Sequence, residues 1–333
     1  LIGNVERPVA NAISHSFNSL PLYSLMKFKI EETLNQMNEE LNNGTIKWSD
    51  FEEKSTEYAQ SVDSFNVFSN LDTNLKEYEG LIYDGAYSDH VSKENKKGLT
   101  GEDISEEDAK GRVRGFFRDR NIENLKSNGL IENADIPSYD FVVNLKNRKE
   151  VYSIMISQKG GHIVESSIDR EVLEEKISQA EANDIGKAYL ADKGFENMKE
   201  TYFIKQGNVV TVNYAYNDNG IIVYPDLIKV RIALDNGEIL GIETTGYLNS
   251  HHDRAYKAPE VSIEKARELL NPDLEIRSEN MAIIPTEWKT EIFCYEFKGR
   301  VEGKDFLFYI NCETGKEEDV LVILETPGGT LTV

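Results

Sequence analysis

The chain has 333 residues, of which 39% are hydrophobic and 29% are charged, and its net charge is −22. This much apolar material excludes a wholly disordered chain. The acidity argues against nucleic acid and anionic membranes as partners, because both bind clustered lysine and arginine. No apolar run reaches the roughly eighteen residues needed to cross a bilayer, so the sequence predicts no membrane span.

Residues 1–92 are predicted to form a helical N-terminal domain. Two apolar stripes with spacings of three and four residues run along it, one over residues 22–41 and the other over residues 48–65. The turn around Gly44 suits the left-handed position after a helix. We therefore expect an antiparallel helical hairpin, followed by a polar linker at 93–103 with the sequence KENKKGLTGED.

The decapeptide LIYDGAYSDH (81–90) ends the helical domain and combines two aspartates, a serine and a histidine with a glycine. Catalytic sets of this composition are assembled from separate elements. Crowding into one turn therefore favours a structural joint over a catalytic loop. The residues that define this signature are Leu81, Ile82, Tyr83, Asp84, Gly85, Ser88, Asp89 and His90.

Three internal repeats follow the linker. They open with ISEEDA, ISQAEA and VSIEKA, and in each an aliphatic residue precedes a serine that can cap a helix: Ser105, Ser178 and Ser262. The first two copies have the spacing of a capping box, whereas the third has Lys265 at the acidic position. The repeats define module 1 (104–171), module 2 (172–254) and module 3 (255–333).

Each repeat continues into β-rich segments with alternating polarity and then into a turn that contains glycine (Gly160 and Gly161, Gly237, Gly315). A capped helix can bury its apolar side on one face of such a sheet, which leaves the other face to water. The predicted fold class is α+β, with the helical hairpin followed by three tandem modules that each pack a helix on an antiparallel sheet.

The chain contains only two cysteines, Cys294 and Cys312, so no disulfide framework is predicted. A two-residue turn at Glu302-Gly303 would place Phe308 opposite Phe297, and Cys294 opposite Asn311 rather than opposite Cys312. A three-residue loop would align the cysteines but would also match apolar with charged residues. We therefore expect two free thiols on opposite faces of a hairpin.

Catalytic motifs for nucleotide binding, hydrolysis or zinc proteolysis do not occur in the sequence, and no catalytic residue or cofactor is predicted. The only metal candidates are His251, His252 and Asp253, in a polar segment between the second and third repeats. Adjacent histidines point in opposite directions in an extended chain, and no regularly spaced further ligand follows. We expect a solvated segment there and no bound metal.

The C-terminal LETPGG signature (Glu325, Thr326, Pro327, Gly328 and Gly329) follows an aliphatic run that reads as a final strand. Proline cannot donate to a ladder, so we expect the strand to stop at Pro327 and the chain to turn at the glycines. The residues beyond would then fold back on module 3 or on a neighbouring module.

The decapeptide, the three repeats and the LETPGG ending, in this order, resemble the YpeB family of spore germination proteins, and the repeats resemble PepSY modules. The resemblance covers about residue 10 to the C-terminus. It implies a non-enzymatic protein located outside the cytoplasm of the bacterial endospore, near the inner spore membrane and cortex. The implied partner is a cortex-lytic peptidoglycan hydrolase of the lytic-transglycosylase type (SleB-like).

Family members are expected to keep this hydrolase localised, stable and inhibited until germination. The family also begins with a membrane anchor that this chain lacks, so membrane attachment would depend on a segment absent from it. PepSY modules also accompany peptidases. A peptidase inhibitor or a pro-segment-like binding module is therefore the alternative function.

Overall fold

The fold was analysed in a computed structural model that describes Tyr87 and residues 96–118, 121–286, 290–326 and 329–332. Apart from Tyr87, the predicted helical domain (1–92) lies outside the described residues, and so does the start of the predicted linker. The described chain is mostly β-sheet with few helices.

Four helices and thirteen strands follow one another in the described residues. Module 1 contains α1 (Glu106–Phe116), β1 (Ile122–Ile131), β2 (Ser138–Leu145), β3 (Val151–Ser157) and β4 (Ile163–Ile168). Module 2 contains α2 (Gln179–Asp192), β5 (Met198–Gln206), β6 (Val209–Asp218), β7 (Ile221–Ala233), β8 (Ile239–Glu243) and α3 (Thr245–Ser250). Module 3 contains α4 (Ile263–Glu268), β9 (Glu275–Pro285), β10 (Glu291–Val301), β11 (Lys304–Asn311), β12 (Glu317–Thr326) and β13 (Gly329–Thr332). None of these helices is long and apolar enough to cross a membrane.

A serine caps the N-terminus of the first helix of each module. The Ser105 and Ser178 hydroxyls accept the third backbone N–H of their helices at 3.2 Å, and the Asp108 and Glu181 carboxylates accept the return bonds. Ser262 accepts the N–H of residue 265 at 3.3 Å, without a return bond because a lysine side chain has no acceptor. The weaker third motif in the sequence therefore corresponds to a weaker cap.

The aliphatic residue before each capping serine packs against the glycine turn of the same module. A Cβ added to the glycine would lie within 2.8–3.6 Å of that aliphatic side chain in the pairs Gly161 and Ile104, Gly237 and Ile177, and Gly315 and Val261. These glycines also have positive φ angles of 66–74°. The repeated sequence pattern is thus explained by one repeated joint between the helix start and the sheet.

The strands of each module pair in chain order. β1–β4, β5–β8 and β9–β12 form three antiparallel meanders. Three further contacts join them: β4 pairs with β8, β13 pairs with β5, and β7 pairs in parallel with β9. All thirteen strands therefore belong to one sheet, whereas the sequence predicted a separate sheet for each module.

Each module has a core between its first helix and its own strands. Ala109 of α1, Ala182 of α2 and Ala266 of α4 are fully buried against them. A further apolar cluster lies between modules 2 and 3 and contains Tyr224 of β7, Ala282 of β9, Cys294 of β10 and Tyr309 of β11.

The strands β10 and β11 are consequently buried on both faces. Phe297 and Ile310 point into the core of module 3, and their neighbours on the opposite face point into the cluster shared with module 2. The expectation of one buried and one wet face was wrong for these strands. The second face is covered because strands from module 2 complete a circuit around it.

The hairpin of β10 and β11 has the predicted register. Phe297 pairs with Phe308 and Cys294 pairs with Asn311. Glu302 and Gly303 form the turn with φ angles of 49° and 79°. Both cysteines are free and buried, with Cys294 and Cys312 in the apolar clusters on opposite faces of the hairpin.

Burial is expected to make both thiols unreactive in the folded protein. It raises the pKa of Cys312 to about 12 and raises that of Cys294 further above its ordinary range. Since the thiolate is the nucleophile, iodoacetamide near neutral pH should label neither cysteine before unfolding and both in urea. Mass spectrometry measures the number of labelled cysteines. Rapid labelling of the folded protein would contradict the burial of the thiols, and a mass lower by two protons without reductant would show that they form a disulfide.

The C-terminal segment folds back as a hairpin. β13 pairs antiparallel with β12 through four residue pairs, from Thr326–Gly329 to Ile323–Thr332. Gly329 also pairs with Ile204 of β5, so the last strand connects module 3 with module 2. Pro327 and Gly328 themselves lie outside the described residues.

Deleting residues 326–333 is expected to lower the melting temperature by about 4–8 °C, the shift that a loss of about 2 kcal/mol produces at this size. The deletion removes β13 and its pairing with β5, which is one of the two strand contacts between modules 2 and 3. Deleting Val333 alone keeps all four described residue pairs and serves as the control. Equal melting temperatures for the two deletions would show that β13 adds nothing to stability.

Candidate functional site

The junction between modules 2 and 3 contains an ionic cluster, the Asp226 cluster, formed by Asp226, His251, Arg254 and Glu291. Asp226 interrupts the apolar run of β7 next to Pro225, where the pairing of β7 with β6 has a register shift. Its carboxylate is completely buried. Arg254 donates to both of its oxygens at 2.7 and 2.8 Å, and His251 Nδ1 donates at 2.7 Å.

Arg254 is the central cation of this cluster, and only 5% of its side chain is exposed. Its guanidinium also donates to both carboxylate oxygens of Glu291 at 2.7 and 2.9 Å. Burial lowers the pKa of Arg254, but the hydrogen bonds to Glu291 and Asp226 outweigh this effect and raise it overall. Arg254 therefore stays charged and links β7 of module 2 to β10 of module 3.

The three metal candidates are held in different environments. His251 donates to Asp226 and stacks on the Tyr247 ring at a centroid distance of 4.1 Å. The Nδ1 atom of His252 donates instead to the backbone oxygen of Ser250 at 2.7 Å, and the Asp253 side chain is exposed. The structure thus does not bring the three side chains together, and the described residues contain no group of three metal-binding side chains.

Tyr87 of the decapeptide inserts between modules 2 and 3. Its hydroxyl donates to Asp319 at 2.9 Å, and its ring contacts Tyr224 and Tyr309 edge to face at 5.5 and 5.4 Å. Burial, together with the charge of Asp319, raises the pKa of Tyr87 well above its usual value. We call Tyr224, Tyr309 and Asp319 the tyrosine socket.

A buried carboxylate lies next to the tyrosine socket. Glu296 of β10 is 4% exposed and accepts hydrogen bonds from the Tyr224 hydroxyl and, at 3.1 Å, from Asn280. Burial and the charge of Glu296 raise the pKa of Tyr224. This keeps Tyr224 protonated as a donor, and the carboxylate is satisfied inside an otherwise apolar cluster.

The junction between modules 1 and 2 has an ionic cluster of its own. Arg148 donates to Glu238, which also accepts from Tyr152 at 3.2 Å, and Arg170 makes a bidentate bond to Asp235 at 2.7 and 2.8 Å. Burial raises the pKa of Glu238, but hydrogen bonds from Arg148 and Tyr152 lower it overall. Both module junctions are therefore fixed by partly buried, bidentate arginine–carboxylate contacts.

The described part of the predicted linker, residues 96–103, is anchored to modules 1 and 2, although residues 97 and 100–103 are exposed. The backbone N–H of Lys97 donates to Asn249 of α3 at 2.9 Å, and Leu99 is buried. His162 contacts the backbone oxygen of Thr100 at 2.8 Å. This segment, which we call the strap, connects α3 of module 2 with the glycine turn of module 1.

Adding a methyl group to Gly98 is expected to dislodge the strap. The Cβ of Gly98→Ala would lie 2.5 Å from the backbone oxygen of Tyr247, so the free energy of unfolding should fall by about 1–3 kcal/mol. Gly111→Ala is the matched control, because it adds a methyl group in open space on α1 and should raise stability by about 1 kcal/mol. Chemical denaturation measures both. Equal stability of the two variants would contradict the close packing.

The other signature residues are only partly within the described chain. Leu81, Ile82, Tyr83, Asp84, Gly85, Ser88, Asp89 and His90 lie outside it. Glu325 and Thr326 end β12, and Gly329 begins β13.

Sequence reasoning missed the importance of Tyr87, Asp226 and Arg254. The available signal was Asp226, which interrupts the apolar run of β7. A buried aspartate is costly without a cation, so this position indicates a basic partner.

Comparisons with known proteins agree on one family. The family model "YpeB sporulation, PepSY1 and PepSY2 domains" matches residues 65–257. The solved structure of the Bacillus megaterium YpeB C-terminal domain matches with a TM-score of 0.62 and 26% identity, over 68% of this chain and all of that one.

Three curated relatives carry the name Sporulation protein YpeB. The protein from Oceanobacillus iheyensis is 31% identical over 87% of this chain and 65% of its own length. The protein from Halalkalibacterium halodurans is 33% identical over 70% of this chain and 52% of its own length. The protein from Bacillus subtilis is 30% identical over 83% of this chain and 62% of its own length. The chain thus spans between half and two thirds of these relatives. The matching family model, the relatives and the shared fold show that this chain belongs to the YpeB family of sporulation proteins.

Proposed function

We propose that the protein is a non-catalytic scaffold of the endospore that holds a cortex-lytic peptidoglycan hydrolase of the lytic-transglycosylase type in place. It keeps this enzyme folded and inhibited until germination. Its site of action is outside the cytoplasm, between the inner spore membrane and the cortex. Family membership supports a role in the spore, because the relatives are named sporulation proteins.

The observation that carries the scaffold proposal is the joining of three modules into one sheet. Thirteen strands continue across both module boundaries, and arginine–carboxylate contacts fix each boundary. A broad surface of fixed shape loses little conformational entropy when it binds a partner. Such a surface suits a protein that holds one partner in a defined orientation.

Stabilisation and inhibition of the partner can come from one interface. A protein that binds only the folded hydrolase raises its stability by RT ln(1 + [L]/Kd), which is about 2.7 kcal/mol at a hundredfold excess over Kd. An interface that covers the substrate cleft would inhibit the enzyme as well. The net charge of −22 favours a partner surface rich in lysine and arginine.

Deletion of the gene in a spore-forming host tests the stabilising role. Quantitative proteomics of the mutant spores should show loss of a muralytic hydrolase, and re-expression should restore it. The Arg254→Leu variant should restore less of the hydrolase than Arg267→Leu, since Arg267 forms an exposed ion pair with Glu279. Loss of a peptidase instead would support the alternative function of a peptidase inhibitor.

A second experiment tests inhibition and the absence of catalysis. The copurified hydrolase is incubated with isolated cortex, with and without the purified chain, and released muropeptides are measured. We expect the chain alone to release none and an equimolar amount to suppress release by the hydrolase. Muropeptide release by the chain alone would contradict a non-catalytic role, and unchanged release by the hydrolase would remove inhibition from the proposal.

A further inference from the structure

A groove of about 510 Å³ runs along module 3 beside the segment that connects it to module 2. Residues 252–260 of this connector form one wall, and the loop at 311–313 contributes the other. Ile283, Ile292 and Phe293, where β9 and β10 pair, line its apolar floor. Arg254 and Glu291 of the Asp226 cluster also line the groove.

The connector backbone is anchored at its ends, and between them it has no backbone partner among the described residues. The N–H of His251 donates to Tyr247 at 2.9 Å, and the N–H groups of Glu260 and Val261 both donate to Cys312 at 3.0 Å. Among the described residues, residues 253–259 make no backbone hydrogen bond. A segment whose peptide groups have no backbone partner in the described part of the chain can serve as a template to which an extended chain adds.

Side chains hold the connector in this position. Arg254 reaches inward to Asp226, and the Tyr256 hydroxyl donates to Asp218 at 2.8 Å. The Tyr256 ring also packs on Phe293 with centroids 5.5 Å apart. The wall of the groove is therefore fixed before a ligand arrives, which lowers the entropic cost of binding.

Acidic groups dominate the charge of the groove. The exposed carboxylates of Asp253, Glu260 and Glu313 line it and form no ion pair with a described residue, whereas Lys257 is the single exposed cation of the lining. Arg254 is neutralised by Asp226 and Glu291. A chain that fits this groove must therefore carry positive charge.

We propose that this groove binds an extended, lysine- or arginine-rich segment of another protein. The ligand backbone pairs with residues 253–259, its alternate apolar side chains contact Phe293 and Ile283, and its basic side chains face Glu260 and Glu313. Recognition by strand addition gives affinity through the backbone and selectivity through the alternating side chains. The proposal is independent of whether the partner is a hydrolase.

The test uses the full chain and a fluorescent probe with the sequence Lys-Val-Lys-Val-Lys-Val-Lys, measured by fluorescence anisotropy. A second probe has the same sequence with N-methyl groups on alternate peptide bonds, which keeps its charge and blocks backbone pairing. Glu260→Lys with Glu313→Lys is the groove variant. Glu123→Lys with Glu132→Lys makes the same charge change at exposed positions in module 1.

We expect the unmethylated probe to bind the native chain and the module 1 variant at least about tenfold more tightly than the groove variant. On the native chain, the methylated probe should bind about tenfold more weakly than the unmethylated probe. Equal binding to both variants would mean general electrostatic attraction, and equal binding of both probes would exclude backbone pairing. Either result, or no binding of the probe, overturns the proposal.

Discussion

Replacing Arg254 by leucine is expected to lower the free energy of unfolding by about 3–5 kcal/mol. The substitution leaves the carboxylate of Asp226 fully buried without its bidentate cation, and it separates β7 from Glu291 of β10. Urea denaturation, monitored by circular dichroism, measures the decrease in the free energy of unfolding. The exposed pair of Arg267 and Glu279 provides the control, because Arg267→Leu should leave the midpoint nearly unchanged.

A double variant separates the cost of an unpaired charge from the loss of packing. Asp226→Leu with Arg254→Leu removes the buried carboxylate and its cation together, and apolar side chains take their places. We expect the double variant to recover much of the stability lost in Arg254→Leu, because a buried ion pair contributes little net energy against a well-packed apolar pair. A double variant whose loss equals the sum of the two single losses would contradict this expectation, because additive losses mean that Asp226 and Arg254 are not energetically coupled.

Truncation of Tyr87 to alanine is expected to have the second largest effect, about 3 kcal/mol, because an aromatic ring is removed from between two other rings. It also leaves Asp319 without the Tyr87 hydroxyl. Tyr87→Phe keeps the ring and should cost about 1 kcal/mol, the typical contribution of one hydrogen bond.

Thermal unfolding and near-ultraviolet circular dichroism follow both Tyr87 variants. Changes in the aromatic signal should be large for Tyr87→Ala and small for Tyr87→Phe, since the edge-to-face contacts with Tyr224 and Tyr309 remain in the latter. Native stability of Tyr87→Ala would show that the decapeptide is not anchored in the tyrosine socket.

Local features of the fold could be predicted from the sequence because short-range chemistry determines them. The turn at Glu302-Gly303 and the apolar alternation on each side of it allow a single good register. Serine before a helical stretch likewise gives a cap, and glycine in a polar turn gives a positive φ angle. Each of these rests on residues that are close in the chain.

The contacts between modules could not be predicted in the same way. The parallel pairing of β7 with β9 and the contact of Gly329 with Ile204 join distant segments that carry no matching local pattern. The Asp226 cluster draws its members from β7, β10 and the connector between modules 2 and 3. Only the buried aspartate in an apolar run signals its presence, and it does not identify the arginine that binds it.

The circuit formed by β5, β6, β7 and β9–β13 imposes an order on how the chain acquires its structure. Module 1 pairs neighbouring strands and can become ordered while later residues are still being synthesised. Closure of the circuit must wait until β13 has left the ribosome, because β13 lies between β12 and β5. Until then, β5 presents an unpaired edge to other chains. Nascent modules 2 and 3 are therefore the part of this protein that most needs protection from aggregation. This need ends when the short strand β13 has paired with β5.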